Sequence, residues 1–236
     1  MKNKIFYLAI FCSLIILTSC LKPKVEGNYH VVSINRTLTN FSEIVSEGSF
    51  EVYYSCDSVS SVKIEAEENI IPYVETNIHG QSLVIRTSNS KRLETHFPIK
   101  VFVKSPTISN VILSGTGSIY VDSVKATNLE ITLKGSGNIN VVAYSQLIEA
   151  SISGSGNLYL SGHTSSGECS ISGSGEINAF NIIQDTCFAN ISGSGSMNLQ
   201  VIDYLNANIS GSGKIYYIGT PIVNTNITGS GRVIHQ

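Results

Sequence analysis

Charge is scarce in this 236-residue chain, where Asp, Glu, Lys and Arg together supply only 14% of the residues. Chains that stay disordered need high net charge and few β-branched residues, so disorder is excluded. A basic excess is also missing. Of 15 Lys and Arg, Lys2 and Lys4 lie in a leader read below as removed, which leaves 13 against 17 acidic residues and a mature net charge of about −4. Nucleic acid demands a basic face, so that partner is excluded, and nothing draws the chain electrostatically to anionic lipid. No apolar run reaches the roughly 20 residues of a bilayer-spanning helix. The five histidines (His30, His79, His96, His163 and His235) are isolated from one another and show no metal-ligand spacing, so neither metal nor cofactor is expected. Nor does any serine stand in a recognisable arrangement with a histidine and a carboxylate. The chain reads as a protein that is not an enzyme.

What is present begins with an export signal. Lys2 and Lys4 precede an apolar run of 13 residues, Ile5 to Leu17, and the run ends in Leu17-Thr18-Ser19-Cys20. This segment resembles the lipobox of bacterial lipoproteins. The resemblance implies cleavage before Cys20, a diacylglycerol on its thiol and acylation of the new amino group. Residues 1–19 are then a signal peptide, left out of fold reasoning, and residues 20–36 a lipid-anchored tether with little pattern. Several acyl chains, at roughly 0.8 kcal/mol per buried CH₂, hold such a protein on a membrane. Leu21 stands where an Asp would mark inner-membrane retention, which favours the outer membrane of a cell envelope. Once Cys12 is cleaved off and Cys20 acylated, Cys56, Cys169 and Cys187 remain, an odd number that leaves at least one thiol unpaired or bridged to another molecule.

The dominant signal is a repeat. Gly-Ser-Gly, once Gly-Thr-Gly, begins at Gly115, Gly135, Gly154, Gly173, Gly193, Gly211 and Gly229, at spacings of 20, 19, 19, 20, 18 and 18 residues. Two residues before each first glycine stand Leu113, Leu133, Ile152, Ile171, Ile191, Ile209 and Ile227. Four before it come Val111, Ile131, Ala150, Cys169, Ala189, Ala207 and Thr225, and four after it Ile119, Ile139, Leu158, Ile177, Met197, Ile215 and Val233. Between the first two columns the residues are polar in all copies but one. Apolar and polar positions therefore alternate on both sides of the glycine, which is strand periodicity. Each unit reads as strand, corner, strand and a variable return segment that must absorb the length changes. One unit cannot bury its apolar stripe alone, whereas stacked units bury it at the ~4.8 Å spacing of neighbouring strands. The expected fold is all-β: a right-handed parallel β-helix, or solenoid, of ~19-residue coils over residues 108–236. The repeated glycines are corner residues. A phosphate-cradling role would require a helix after them, and a strand follows every time. A calcium-binding roll would need an Asp ladder, but the column three after the first glycine is Ser118, Asn138, Asn157, Glu176, Ser196, Lys214 and Arg232.

Residues 37–107 lack the Gly-Ser-Gly and read as an atypical N-terminal β region that continues the solenoid and caps it. Phe41, Ile44, Gly48, Phe50 and Val52 outline a divergent coil, with Phe50 and Val52 matching Ile119 and Val121 when Gly48 is set against Gly117. Ala66 to Glu75 reads as a short helical turn broken at Pro72. Leu83–Ile85 and Lys100–Val103 read as strands. This pattern, the turn Glu67-Glu68-Asn69-Ile70 and the serial Gly-Ser-Gly resemble the putative auto-transporter adhesin, head GIN domain family over residues 38 to 220. The resemblance implies a right-handed β-helical domain, often on envelope lipoproteins, without established catalysis.

Candidate functional residues follow from the columns. Tyr120, Tyr159 and Tyr216, five after the glycine, place aromatic platforms on a polar outer face suited to glycan or protein contact. Glu130, Glu149 and Glu168 share the column five before it; stacked carboxylates could hold a cation or act as an acid/base pair, but no neighbouring cation organises them, and they read as solvated side chains. Cys169 and Cys187 both point inward on adjacent coils, offset by two residues, which sets their Cα atoms about 8 Å apart, beyond disulfide reach. Three functions are carried forward: a binding module, a structural protein that self-associates through the open edge of the last coil near Ile234, and a polysaccharide-acting enzyme.

Overall fold

The computed structural model describes residues 23–236, so the expected signal peptide and Cys20 lie outside the described residues. The repeat region is a β-solenoid. After β10 (Asn110–Gly115), five strands each wind almost a whole coil: β11 (Ser118–Gly135), β12 (Asn138–Gly154), β13 (Asn157–Gly173), β14 (Glu176–Gly193) and β15 (Ser196–Gly211). Each pairs in parallel with the next. A looser coil of β16 (Lys214–Ile218) and β17 (Ile222–Gly229), parted at Pro221, stacks on β15, and β18 (Arg232–His235) begins a further turn on β16.

The expected columns are the core through the sixth repeat; in the last copy Ile227 is 40% exposed and Thr225 is exposed, because no further coil covers β17 (Ile222–Gly229). Leu113, Leu133, Ile152, Ile171, Ile191 and Ile209 pair in consecutive register and are all buried. The two companion columns are buried in the same way, from Val111 to Ala207 and from Ile119 to Ile215. Each fully buried Ile or Leu contributes roughly 1.5–3 kcal/mol by leaving water. Outside the tube, small polar residues stack and bond their copies, as in Thr132–Ser151 (3.1 Å), Asn157–Asn138 (3.0 Å) and Asn208–Asn190 (2.9 Å).

Unequal repeats stay in step by β-bulges. The offset between paired residues drops from 20 to 19 between Val121 and Val124, rises from 19 to 20 between Tyr159 and Ser161, and changes again across Ala179–Thr186. All of these shifts lie in the return segment, and the glycine-flanking columns are never displaced. The extra residue is expelled on that side because a bulge leaves one residue unpaired, and on the corner side such a residue would put a polar face into the core.

At the N-terminal end the chain leaves sequential order. The strands β3 (Glu43–Gly48) and β4 (Glu51–Cys56) form a coil stacked against β10 and β11. The next partial coil comes from β7 (Ser82–Thr87) and β9 (Lys100–Ser105), parallel to β3 and β4. Antiparallel strands then close the end: β5 (Ser61–Glu67) on β9, β2 (Val31–Thr37) on β5, and β6 (Val74–His79) on β7. Parallel pairing thus runs on from β10 and β11 into these strands, and antiparallel pairs follow it. Two expectations change in detail. Gly48 registers with Gly115 and not with Gly117, so Val52 opposes Ile119; the shift is by two residues, which preserves the inward face. The segment read as a tether carries β2 and also β1 (Lys24–Glu26), which pairs with β8 (Arg92–Glu94).

The turn Glu67-Glu68-Asn69-Ile70 leads into a 3₁₀ turn at Ile71–Tyr73 and clasps this N-terminal segment. The Asn69 amide donates to the Glu26 carbonyl (2.7 Å) and its oxygen accepts from the Asn28 N–H (3.1 Å). The buried Glu67 carboxylate accepts from the backbone N–H groups of Tyr29 (2.8 Å) and His96 (2.9 Å), with the His96 ring at 3.1 Å. Burial alone would raise the Glu67 carboxyl, but these donors together outweigh it and hold it below its ordinary 4.5. A lowered carboxyl adds stability that is complete above its unfolded pKa and lost as the pH falls through the folded one. Hydrogen exchange of residues 24–37 is therefore expected to accelerate selectively as pH drops below about 4.5, and Glu67→Gln should remove that acid dependence. Acceleration shared equally by all coils would contradict the clasp.

Candidate binding groove

The position five after the first glycine points outward on a strand, and parallel stacking brings its copies into one file. With Gly48 in register with Gly115, the file runs Phe102, Tyr53, Tyr120, Asn140, Tyr159, Asn178, Asn198, Tyr216 and Ile234. Its first three rings stack. Tyr53 lies 5.2 Å from Phe102 and 5.0 Å from Tyr120 between centroids, with interplanar angles of 18° and 12°. The Lys63 ammonium covers the far face of this stack, 4.4 Å from the Phe102 centroid. Such contacts each add about 0.5–1.5 kcal/mol and make the stack a rigid wall.

The wall faces a groove of about 490 Å³. Tyr53, Phe102, Tyr120 and Tyr159 supply its apolar surface, and Lys104, Asp122, Asn140 and Ser161 its polar rim. Burial pushes the Tyr53 phenol up, aided by its hydrogen bond to Glu51 (3.0 Å), so it stays protonated and donates. Lys104 is held at the rim by Asp57 (2.9 Å), which it keeps below the usual carboxylate range. The volume and the mixture of aromatic surface with a few polar groups match those of small-ligand sites.

Of the candidate residues, the structure gathers Tyr120 and Tyr159 here. Tyr216 shares the file but stands outside the groove, beyond Asn178 and Asn198. Tyr53 and Phe102 were missed. For Tyr53 the signal was available: five after Gly48 is the position that Tyr120 holds after Gly115. Phe102 has no glycine beside it, and only strand pairing reveals its place.

Glu130, Glu149 and Glu168 do stack in register, extended by Asn110, whose amide donates to Glu130 (3.2 Å). All three are exposed beside a hollow of about 150 Å³. Among the described residues no three His, Cys, Asp or Glu side chains converge as a metal site. Another groove, of about 550 Å³, follows the serine and asparagine ladders from Thr132 to Asn226, without aromatic side chains. Cys169 and Cys187 are free, buried and offset by two residues, with Cys187 opposite Gly167 and Cys169 opposite Ala189. Hydrogen bonding to Cys169, reinforced by burial, pushes the Cys187 thiol well up, so it stays unreactive. Cys56 is exposed.

Solved structures share this architecture. A putative adhesin from Bacteroides fragilis has 21% identity and a TM-score of 0.86, covering 90% of this chain and 100% of its own. A putative lipid binding protein from Parabacteroides distasonis follows with 24% identity, a TM-score of 0.77 and coverage of 90% and 99%. A putative adhesin from Parabacteroides merdae shows 25% identity, a TM-score of 0.74 and coverage of 91% and 99%. No curated protein matches the chain. Among the described residues no helix is long and apolar enough to cross a membrane. The sequence model described as "Putative auto-transporter adhesin, head GIN domain" matches residues 40–221, and the chain belongs to that family.

Proposed function

We propose that this protein is a non-catalytic lipoprotein of the outer membrane, held by acyl chains on Cys20, whose solenoid binds a glycan or protein partner through the aromatic groove. The carrying observation is the stack Phe102–Tyr53–Tyr120 lining a groove of about 490 Å³ with Asn, Asp and Ser at its rim. Rings edged by polar groups match the amphipathic faces of sugars, so a glycan is the favoured occupant. The exposed carboxylate column supports the absence of catalysis, because no burial sets the acid apart from its neighbours. Membership in a family of adhesins supports the envelope location. On a glycan array, the full mature protein in detergent is expected to be retained by a subset of sugars, and Tyr53→Ala to weaken retention at least ~10-fold. Retention by no glycan would sink the carbohydrate reading; retention indifferent to Tyr53 would move it off this groove.

A second reading, self-association through the last coil, draws on Ile222, which is 74% exposed, and on the edges of β17 and β18, each paired on one side only.

A further inference from the structure

The aromatic file has a gap of a particular size. Tyr120, Asn140 and Tyr159 occupy consecutive coils in register. The neighbouring rings on the same file repeat at 5.0 and 5.2 Å, one per coil. Two coils therefore separate Tyr120 from Tyr159 by about 10 Å at strand spacing. The short Asn140 side chain leaves the intervening ring position open toward the groove, and all three residues line it. Both tyrosines are substantially exposed, at 38% and 41%. A flat guest midway between them would sit about 5 Å from each ring, within the separations of stacked rings.

The surroundings indicate which guest. Asn140, at the floor of the gap, offers an amide donor and acceptor. Three coils on, the amide of Asn198 is spent on Glu176 (2.8 Å), whereas the Asn140 amide has no partner among the described residues. Asp122 and Ser161, the latter on Tyr159's own strand, add an anionic acceptor and a hydroxyl at the rim. A purely aromatic guest would leave these groups unpaired. A pyranose has apolar C–H faces for both rings and equatorial hydroxyls for the amide and the carboxylate.

We propose that the open rung at Asn140 is a sugar subsite, in which one pyranose ring inserts between Tyr120 and Tyr159 and its hydroxyls are read by Asn140 and Asp122. This rests on the glycan reading of the groove and goes further by fixing where one ring sits. The groove exceeds a single pyranose, and the flanking residue of an oligosaccharide extends toward Lys104 and Ser55.

The test titrates isotope-labelled mature protein with the methyl pyranosides of glucose, galactose, mannose and N-acetylglucosamine, and separately with phenol as an aromatic probe. At least one sugar is expected to shift the Asn140 side-chain amide and the ring signals of Tyr120 and Tyr159, with its own C–H protons moved upfield. Asn140→Tyr completes the ring file; it should retain the melting temperature and lose at least ten-fold in sugar affinity. Asn140→Asp, which keeps the space but not the amide donor, should bind with intermediate strength. Sugar binding unchanged in Asn140→Tyr would overturn the subsite while leaving the glycan reading of the groove standing. Binding of phenol but of no pyranoside would overturn the choice of guest. Array retention by no glycan, together with silence in the titration, would remove both proposals.

Discussion

Gly173→Val is expected to abolish the cooperatively folded solenoid or to leave it several kcal/mol less stable. Gly173 has φ +130°, in the left-handed half of conformational space that β-branched residues avoid, and a Cβ there would stand 2.4 Å from the Gly154 carbonyl oxygen of the coil below. Backbone strain of about 1–3 kcal/mol adds to a steric cost of about the same size. Neither can relax, because the contact is backbone on backbone in the middle of a stack that repeats above and below. The second corner glycine lacks the left-handed φ and is held by the steric clash alone. A Cβ on Gly175 would meet Gly156 O at 2.6 Å and Ile152 Cγ2 at 2.8 Å, so the obstacle is the neighbouring coil. Ser174, between the two, should tolerate Ala within about 0.5 kcal/mol. Urea denaturation of the three proteins reads the contrast, and a Gly173→Val protein with a wild-type midpoint would contradict the stacked corner.

Ile171→Asp is expected to be as severe. Ile171 is 2% exposed, with Ile152 and Ile191 directly below and above it. An unpaired carboxylate there must be protonated or drag water into the tube, at a cost of several kcal/mol. Ser170 and Ser172 point outward on either side, and Asp at Ser172 should be nearly silent. The protein is therefore expected to be lost from the soluble fraction, or to melt far lower, for the odd position and not for the even one. Equal tolerance at 171 and 172 would mean that the file of isoleucines is not the interior.

These two predictions draw on features legible in the unaligned sequence. The glycine spacing gave the coil count, and the columns gave the inside, because a parallel solenoid translates chain position into stacking order. Legibility ended where that translation does. The cap strands β2 and β5 pair antiparallel, so no shared column announces them, and β2 (VVSINRT) carries only two half-buried apolar residues, Val32 and Ile34. Pairing of Phe102 with Tyr53 joins residues nearly fifty positions apart with no repeat to align them. The groove was therefore half visible: Tyr120 and Tyr159 stood in a column, whereas the wall against which they act was assembled by the non-sequential first coils.

The bulges bear on how recognition can change. Two of the four register shifts follow immediately after Tyr120 and Tyr159, between Val121 and Val124 and between Tyr159 and Ser161. Residues can thus be gained or lost beside the groove while the corner glycines stay in register. One side of the tube keeps time and the other is free to improvise. Relatives built on this plan could exchange one ligand for another by small edits at the loose seam, each inherited without renegotiating the scaffold.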